Sequence, residues 1–309
     1  MKLINFLYLF CIPLFISCSA EKAAFSFNVE NEAFQRDLPF KYESRVYISN
    51  KKGKVISDQE LIMGEVLSID NFNKNEIYDL TFHTKIIRID DVSFSDRLAT
   101  FFNVKPTEIN FTNPYLDAEL GLEETDNILV FADSNNIDWS WGQIQHSEKQ
   151  HEFIKYYRFL KGDVQFSSFE KMKDVQEQEV VLQSNVTLDI INKDPGHLEF
   201  STNFKDYSYF IANFYSSYRG PNRGGLKWIL YIPESMGNKT SLPAIANYEP
   251  ANLDADRLKN LRLQKANLMR IEGEEIIGRL MNEYDPDERH QMSAWYLFDK
   301  FEMVAKMIR

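Results

Sequence analysis

Cysteine is all but missing from this chain. Its 309 residues hold two, Cys11 and Cys18, and both lie close to the N-terminus. The body of the protein therefore has no disulfide framework and no thiolate zinc cluster, and its stability has to come from burial. An apolar share of 44% over such a length is ample for that. Histidine is sparse, with five. No Gly-x-Ser-x-Gly elbow, phosphate loop or dinucleotide fingerprint occurs, so the best-marked hydrolase and nucleotide chemistries are absent and no cofactor is expected. Basic residues are short as well. They number 35 against 46 acidic ones, a net charge of −11. Taken as a whole, such a chain has no electrostatic footprint for nucleic acid or for an anionic lipid surface.

Long apolar runs are also lacking, with one exception. After Lys2 the chain is apolar from Leu3 to Ile16, broken only by Asn5 and Pro13. That is short of the roughly 20 residues a spanning helix needs. A positive start, a short apolar centre and small Ser17 at the end form a signal peptide. Its last residues, Phe15-Ile16-Ser17-Cys18, resemble the lipobox of bacterial membrane lipoproteins. The likeness covers these eighteen residues only, and Phe15 stands where the family usually has Leu. It implies that Cys18 is diacylated and that cleavage then removes residues 1–17. Two or three acyl chains make a stable anchor. Ser19, where Asp would resemble an inner-membrane retention signal, points to the outer membrane of a Gram-negative cell. The alternatives are an ordinary secreted protein and an uncleaved anchor. Cys11, behind bulky Phe10, fits the lipobox badly.

Beyond a tether at 18–24, residues 25–105 read as a small antiparallel sandwich of immunoglobulin-like appearance. Tyr42, Ser44, Val46 and Ile48 alternate with Glu43, Arg45 and Tyr47, and Asn50-Lys51-Lys52-Gly53 supplies turn chemistry. Glu60–Ile69 and Ile77–Ile89 read as further strands. Residues 106–126, with Pro106, Pro114 and an acidic stretch, read as a connection with a short helix at Pro114–Leu122. Residues 127–250 read as an antiparallel β domain. Val180, Leu182, Val186, Leu188 and Ile190 share one parity, opposite Gln183, Asn185, Thr187 and Asp189. That predicts a strand with one buried face, turning at Asn192–Gly196. Two more hairpins are predicted, one about Lys161-Gly162-Asp163 and one between Tyr207–Tyr218 and Leu226–Ile232. The last segment, 251–309, is expected to be helical. Leu258, Leu261 and Leu268 sit at helical spacing, with a strand over Leu261–Ile271 as the rival, and Asp285-Pro286-Asp287-Glu288 has the form of a helix start. The fold class is thus mainly β with α.

Few residues suggest chemistry. Trp139 and Trp141 share one face of any strand they occupy. Beside Asp138 and Gln143 they suit a sugar platform, although large aromatics more commonly fill a core. Arg219 and Arg223 stand in a Gly- and Pro-rich hairpin loop that suits an acidic ligand, or simple solvation. His146 and His151, with Glu148 and Glu152, are five apart, which fits neither helical nor strand ligand spacing, so Gln145–Glu152 reads as a polar loop and no metal is expected. His83, on the polar parity of its strand, reads as solvated; His197 falls in a turn. These features favour a non-enzymatic envelope lipoprotein that binds a protein or glycan partner. An envelope hydrolase acting on saccharide or peptidoglycan is the alternative, and a purely structural assembly subunit the third reading.

Overall fold

The computed structural model describes residues 21–29, 40–62, 64–88, 94–111, 122–126, 138–147, 152–173, 186–217, 224–272, 277 and 298–308. Within these the chain is predominantly β. Its first part contains β1 (Lys22–Val29), β2 (Phe40–Ser49), β3 (Val55–Leu61), β4 (Val66–Asn73), β5 (Tyr78–Arg88), β6 (Phe94–Val104) and β7 (Glu108–Phe111). There follow β8 (Leu122–Asp126), β9 (Trp139–Ser147), β10 (Glu152–Lys161), β11 (Val164–Met172), β12 (Leu188–Asn192) and β13 (Leu198–Thr202). The remainder holds β14 (Tyr209–Ser217), β15 (Gly225–Pro233), β16 (Lys239–Thr240), α1 (Ala255–Lys259), β17 (Arg262–Glu272) and β18 (Lys300–Met307).

Twelve of these strands form one sheet in the order β3-β2-β5-β6-β15-β14-β17-β18-β11-β10-β9-β8. The seam between its two halves is the parallel pair β6–β15, with Leu226 opposite Asp96 and Tyr231 opposite Phe101. Strands on both sides of the expected connection at 106–126 are therefore hydrogen-bonded into a single sheet. Two three-stranded sheets, β4-β1-β7 and β12-β13-β16, accompany it. Residues of β1, β4 and β7 share one core cluster with the large sheet, and residues of β12, β13 and 242–261 share the other.

Alternation along the central strands feeds both cores. On β15, Ile229 and Tyr231 belong to the first, while Leu226, Trp228, Leu230 and Ile232 belong to the second. Aromatic rings bridge the layers. Phe27 of β1 meets Phe82 of β5 edge-on with centroids 5.8 Å apart, and Phe200 of β13 stacks on Phe210 of β14 at 3.8 Å. Such contacts add to the area term that dominates folding.

The three predicted hairpins are present as β10–β11, β12–β13 and β14–β15. At the first turn Gly162 has φ +59°, a left-handed conformation that glycine adopts without steric cost. At the second, the Asn192 and Asp194 carboxamide and carboxylate oxygens accept the amides of Asp194 and Gly196 at 2.9 and 2.7 Å. Leu188 is fully buried while Thr187 and Asp189 are exposed, as the parity requires. Val180 and Leu182 lie outside the described residues.

The described residues do not support the expected helical C-terminal segment. Among the described residues Ala255–Lys259 is α-helical and Ile277 is a lone helical position; Arg262–Glu272 and Lys300–Met307 are strands β17 and β18, paired with each other. The rival strand over Leu261–Ile271 is the one present. Leu, Met, Arg and Lys favour helices in isolation, but β17 is a central strand between β14 and β18, and burial overrode propensity. Because both its faces are covered, Ala266 to Met269 are buried without a break, which hides the period of two. The candidate helix start at 285–288 lies outside the described residues. Two smaller expectations change as well. Leu122–Asp126 is the edge strand β8, not connection, and β9 continues through His146, whose ring lies 4.9 Å from that of Phe153, so the polar loop is shorter than Gln145–Glu152.

Candidate functional site

One set of charged groups that the fold draws together lies inside it. His83 of β5 and Asp96 of β6 both point to the core that β12, β13 and residues 242–261 cover. His83 Nε2 and Asp96 Oδ1 are 2.9 Å apart, with exposures of 1% and 2%. From the other layer, Arg257 of α1 donates through a terminal guanidinium nitrogen to Asp96 Oδ2 at 3.1 Å, itself only 4% exposed. The Asp254 carboxylate caps α1 by accepting the Arg257 amide at 3.0 Å, which aims the guanidinium inward. Nearby, Trp228 Nε1–H donates to Thr100 Oγ1 at 3.0 Å, and the Thr81 and Thr100 hydroxyls are 2.9 Å apart. The Tyr47 ring lies 6.3 Å from that of His83 and 5.9 Å from that of Tyr248. Burial, with help from the Asp58 charge, pushes the Tyr47 hydroxyl up to about 12.

His83 is thus a correction to the expectation that it is solvated. Its parity on β5, with Thr81 and Lys85, looks polar, yet β5 is an interior strand and a second layer closes that face. Sequence signals for the trio are faint. Asp254-x-x-Arg257 marks a cap, but nothing local joins it to residues 83 and 96. Chemically the trio is a sealed ion pair with a hydrogen-bonded imidazole. It ties the 242–261 layer to the large sheet and offers no path for a reactant.

Two exposed features differ in character. A cleft of about 560 Å³ is lined by Gly162, Asp163, Asp189, Ile190, Lys193, Lys306, Met307 and Ile308. Within it the Lys306 ammonium lies 3.3 Å from an Asp163 oxygen and 3.4 Å from an Asp189 oxygen. A glycosidase pair needs the sugar between its carboxylates; here the space between them holds an ammonium. The second feature is the start of β9. Asp138 N–H donates to Leu160 O at 2.9 Å and Gly162 N–H to Asp138 Oδ2 at 2.7 Å, which fastens this end of β9 to the β10–β11 turn. Trp139, opposite Leu160, is 49% exposed, so it does not fill the core. Trp141 lies two residues along the same strand, opposite Arg158. Among the described residues β8 pairs with β9 only from Ile144 onward, leaving the Trp139 end of the strand without an outer partner there.

Arg219, Arg223, His151 and Cys18 lie outside the described residues. His197 sits in its expected turn, its amide donating to Asp194 O. Among the described residues no group of three or more metal-ligating side chains converges, and no helix is long and apolar enough to cross a membrane. No protein-family model matches the chain, and no curated protein matches it.

Proposed function

We propose that this chain is a lipid-anchored lipoprotein of the cell envelope, attached through Cys18, that binds a protein or glycan partner and does not catalyse a reaction. The observation that carries the binding half is a contrast in exposure. The His83–Asp96–Arg257 trio is walled off from solvent, whereas the large apolar ring of Trp139 stands half in water at the rim of the sheet. Charges buried in that way serve cohesion. An indole held on a rigid strand, with its cost of ordering already met by the hairpin beside it, is the kind of surface on which a sugar ring or an extended peptide docks. The anchor half is supported by the lipobox at Ile16-Ser17-Cys18 and by the absence of any other long apolar run in the sequence.

Two measurements test the reading. Cys18→Ala should move the protein from the membrane fraction to the soluble fraction and remove acyl mass from the N-terminus; equal solubility of both forms, without lipid mass, would end the anchor reading. Soluble peptidoglycan fragments and envelope oligosaccharides should shift the fluorescence of the wild-type protein and not of Trp139→Ala. Turnover of those fragments by the wild-type protein would replace binding with hydrolysis.

A further inference from the structure

Trp139 has a cationic neighbour on its own face of the sheet. In register, Trp139 is opposite Leu160, Leu160 opposite Gln165 and Gln165 opposite Ala305. Two residues further along β10, Arg158 is opposite Ser167, and Ser167 opposite Met303. Ala305 and Met303 belong to the first core cluster, so both rows lie on the face that this core covers. The cover thins toward β9: Ser167, Met303 and Ala305 are buried, Leu160, Gln165 and Arg158 are half-buried, and Trp139 stands in water. Arg158 is the diagonal neighbour of Trp139, with Cβ atoms about 7 Å apart. Its guanidinium is held in place. Nε and a terminal nitrogen donate to the Tyr156 hydroxyl at 3.0 and 2.6 Å, with the Tyr156 ring 5.7 Å away. A guanidinium has five N–H donors, and among the described residues no carboxylate takes the others. Acidic groups around this spot are engaged or distant. Asp138 accepts the Gly162 amide and stands beside exposed Lys161, while Asp163 and Asp189 hold Lys306 on the opposite face. In register on the face of Trp139, the acidic positions of β8 to β11 and β18 are Glu124, opposite Gln145, and Glu152. Both stand level with Ile154 or beyond it, at least four residues from Arg158. That is about 14 Å along the strands, more than a Debye length at physiological salt.

We infer that Trp139 and Arg158 form a subsite for a saccharide that carries a carboxylate, with a sugar ring on the indole and the carboxylate at the guanidinium. The inference rests on the glycan reading above and narrows it to acidic glycans. Charge decides the class: a neutral sugar leaves the remaining Arg158 donors to water, whereas a carboxylate accepts charge-assisted hydrogen bonds from them. Because Tyr156 fixes the guanidinium before the ligand arrives, little side-chain freedom is lost on binding. A sugar ring also brings an apolar face for the indole, which an acidic peptide side chain lacks. The net charge of −11 disfavours a long polyanion, so the ligand is a short stretch with one carboxylate at Arg158.

The test is calorimetric titration of the full-length protein in neutral detergent with a disaccharide of glucuronic acid and N-acetylglucosamine, and with its methyl ester, which removes the charge alone. Wild type should bind the acid roughly tenfold more tightly than the ester, and added salt should narrow that gap. Arg158→Gln should bring the acid down to the affinity of the ester and leave ester binding unchanged. Tyr156→Phe should weaken binding of the acid only, since its hydroxyl acts through Arg158, whereas Trp139→Ala should weaken both. Equal wild-type affinities for acid and ester, a comparison that needs no variant, overturn the inference and leave the glycan reading standing. So does an Arg158→Gln variant that loses both ligands equally. Failure of either sugar to bind removes the glycan reading, and the inference with it. A glutamate dipeptide that binds as tightly as the acidic sugar overturns the saccharide assignment in favour of an acidic peptide.

Discussion

Replacing Arg257 with alanine would remove the cation that reaches across the layers to Asp96. At 3.1 Å and an effective dielectric constant of about 20, the gross attraction is on the order of 5 kcal/mol. Desolvation of both groups offsets most of that in the intact protein, since the side chains are 4% and 3% exposed. Truncation recovers none of the offset for Asp96. Its carboxylate stays buried with the His83 imidazole as its remaining hydrogen-bond partner among the described residues, and breaking a pair so placed costs about 3–5 kcal/mol. Urea unfolding followed by circular dichroism should therefore show Arg257→Ala destabilised by that amount at unchanged denaturant slope. The double variant Asp96→Leu with Arg257→Met replaces both charges by apolar groups and should recover most of the loss, a strong departure from additivity. A loss below about 1 kcal/mol for Arg257→Ala, or a double variant no better than the sum of its singles, would refute a sealed ion pair at this position.

Three further outcomes follow from the same structure. Leu188→Ala should cost roughly 2–5 kcal/mol because its side chain is fully buried between the layers, whereas Thr187→Ala, one residue away and exposed, should stay within about 0.5 kcal/mol; the reverse order in chemical denaturation would mean an inverted register. Burial pushes the Asp79 carboxyl up to about 6, although the Asn103 N–H donated to it at 3.2 Å opposes the shift. A carboxyl raised above its unfolded value near 3.8 is tolerated in its neutral form, so its ionisation destabilises the fold as pH rises from about 4 through 6. Asp79→Asn should accordingly be more stable than wild type at pH 8, with the difference fading toward pH 4, and a pH-independent difference in melting would refute the assignment. The mature chain keeps Cys18 as its sole cysteine if cleavage falls before it, so thermal unfolding of the acylated protein should ignore dithiothreitol; a shift of several degrees would place the cleavage site elsewhere.

What the sequence determined by itself is what local chemistry encodes. Gly162 and the Asn192–Gly196 turn carry their own turn chemistry, a left-handed glycine in one and side-chain oxygens that accept nearby amides in the other, and the strand through Leu188 shows its buried parity because one of its faces meets water. The lipobox expectation is of this local kind too, carried by four consecutive residues. Tertiary structure decided the rest, for a recurring physical reason. Strands buried on both faces lose the polar parity that marks a strand, so Arg262–Glu272 presents the composition of a helix, and His83 shares the parity of a wet face although a second layer seals it. The parallel seam of β6 and β15 joins residues more than a hundred positions apart, and no local pattern marks such a register. Asp96 and Arg257 meet across 161 positions. Trp139 is the converse case: an aromatic in a strand is usually core, and only its place at the rim of the sheet, beside the turn that fixes Asp138, leaves its ring in water.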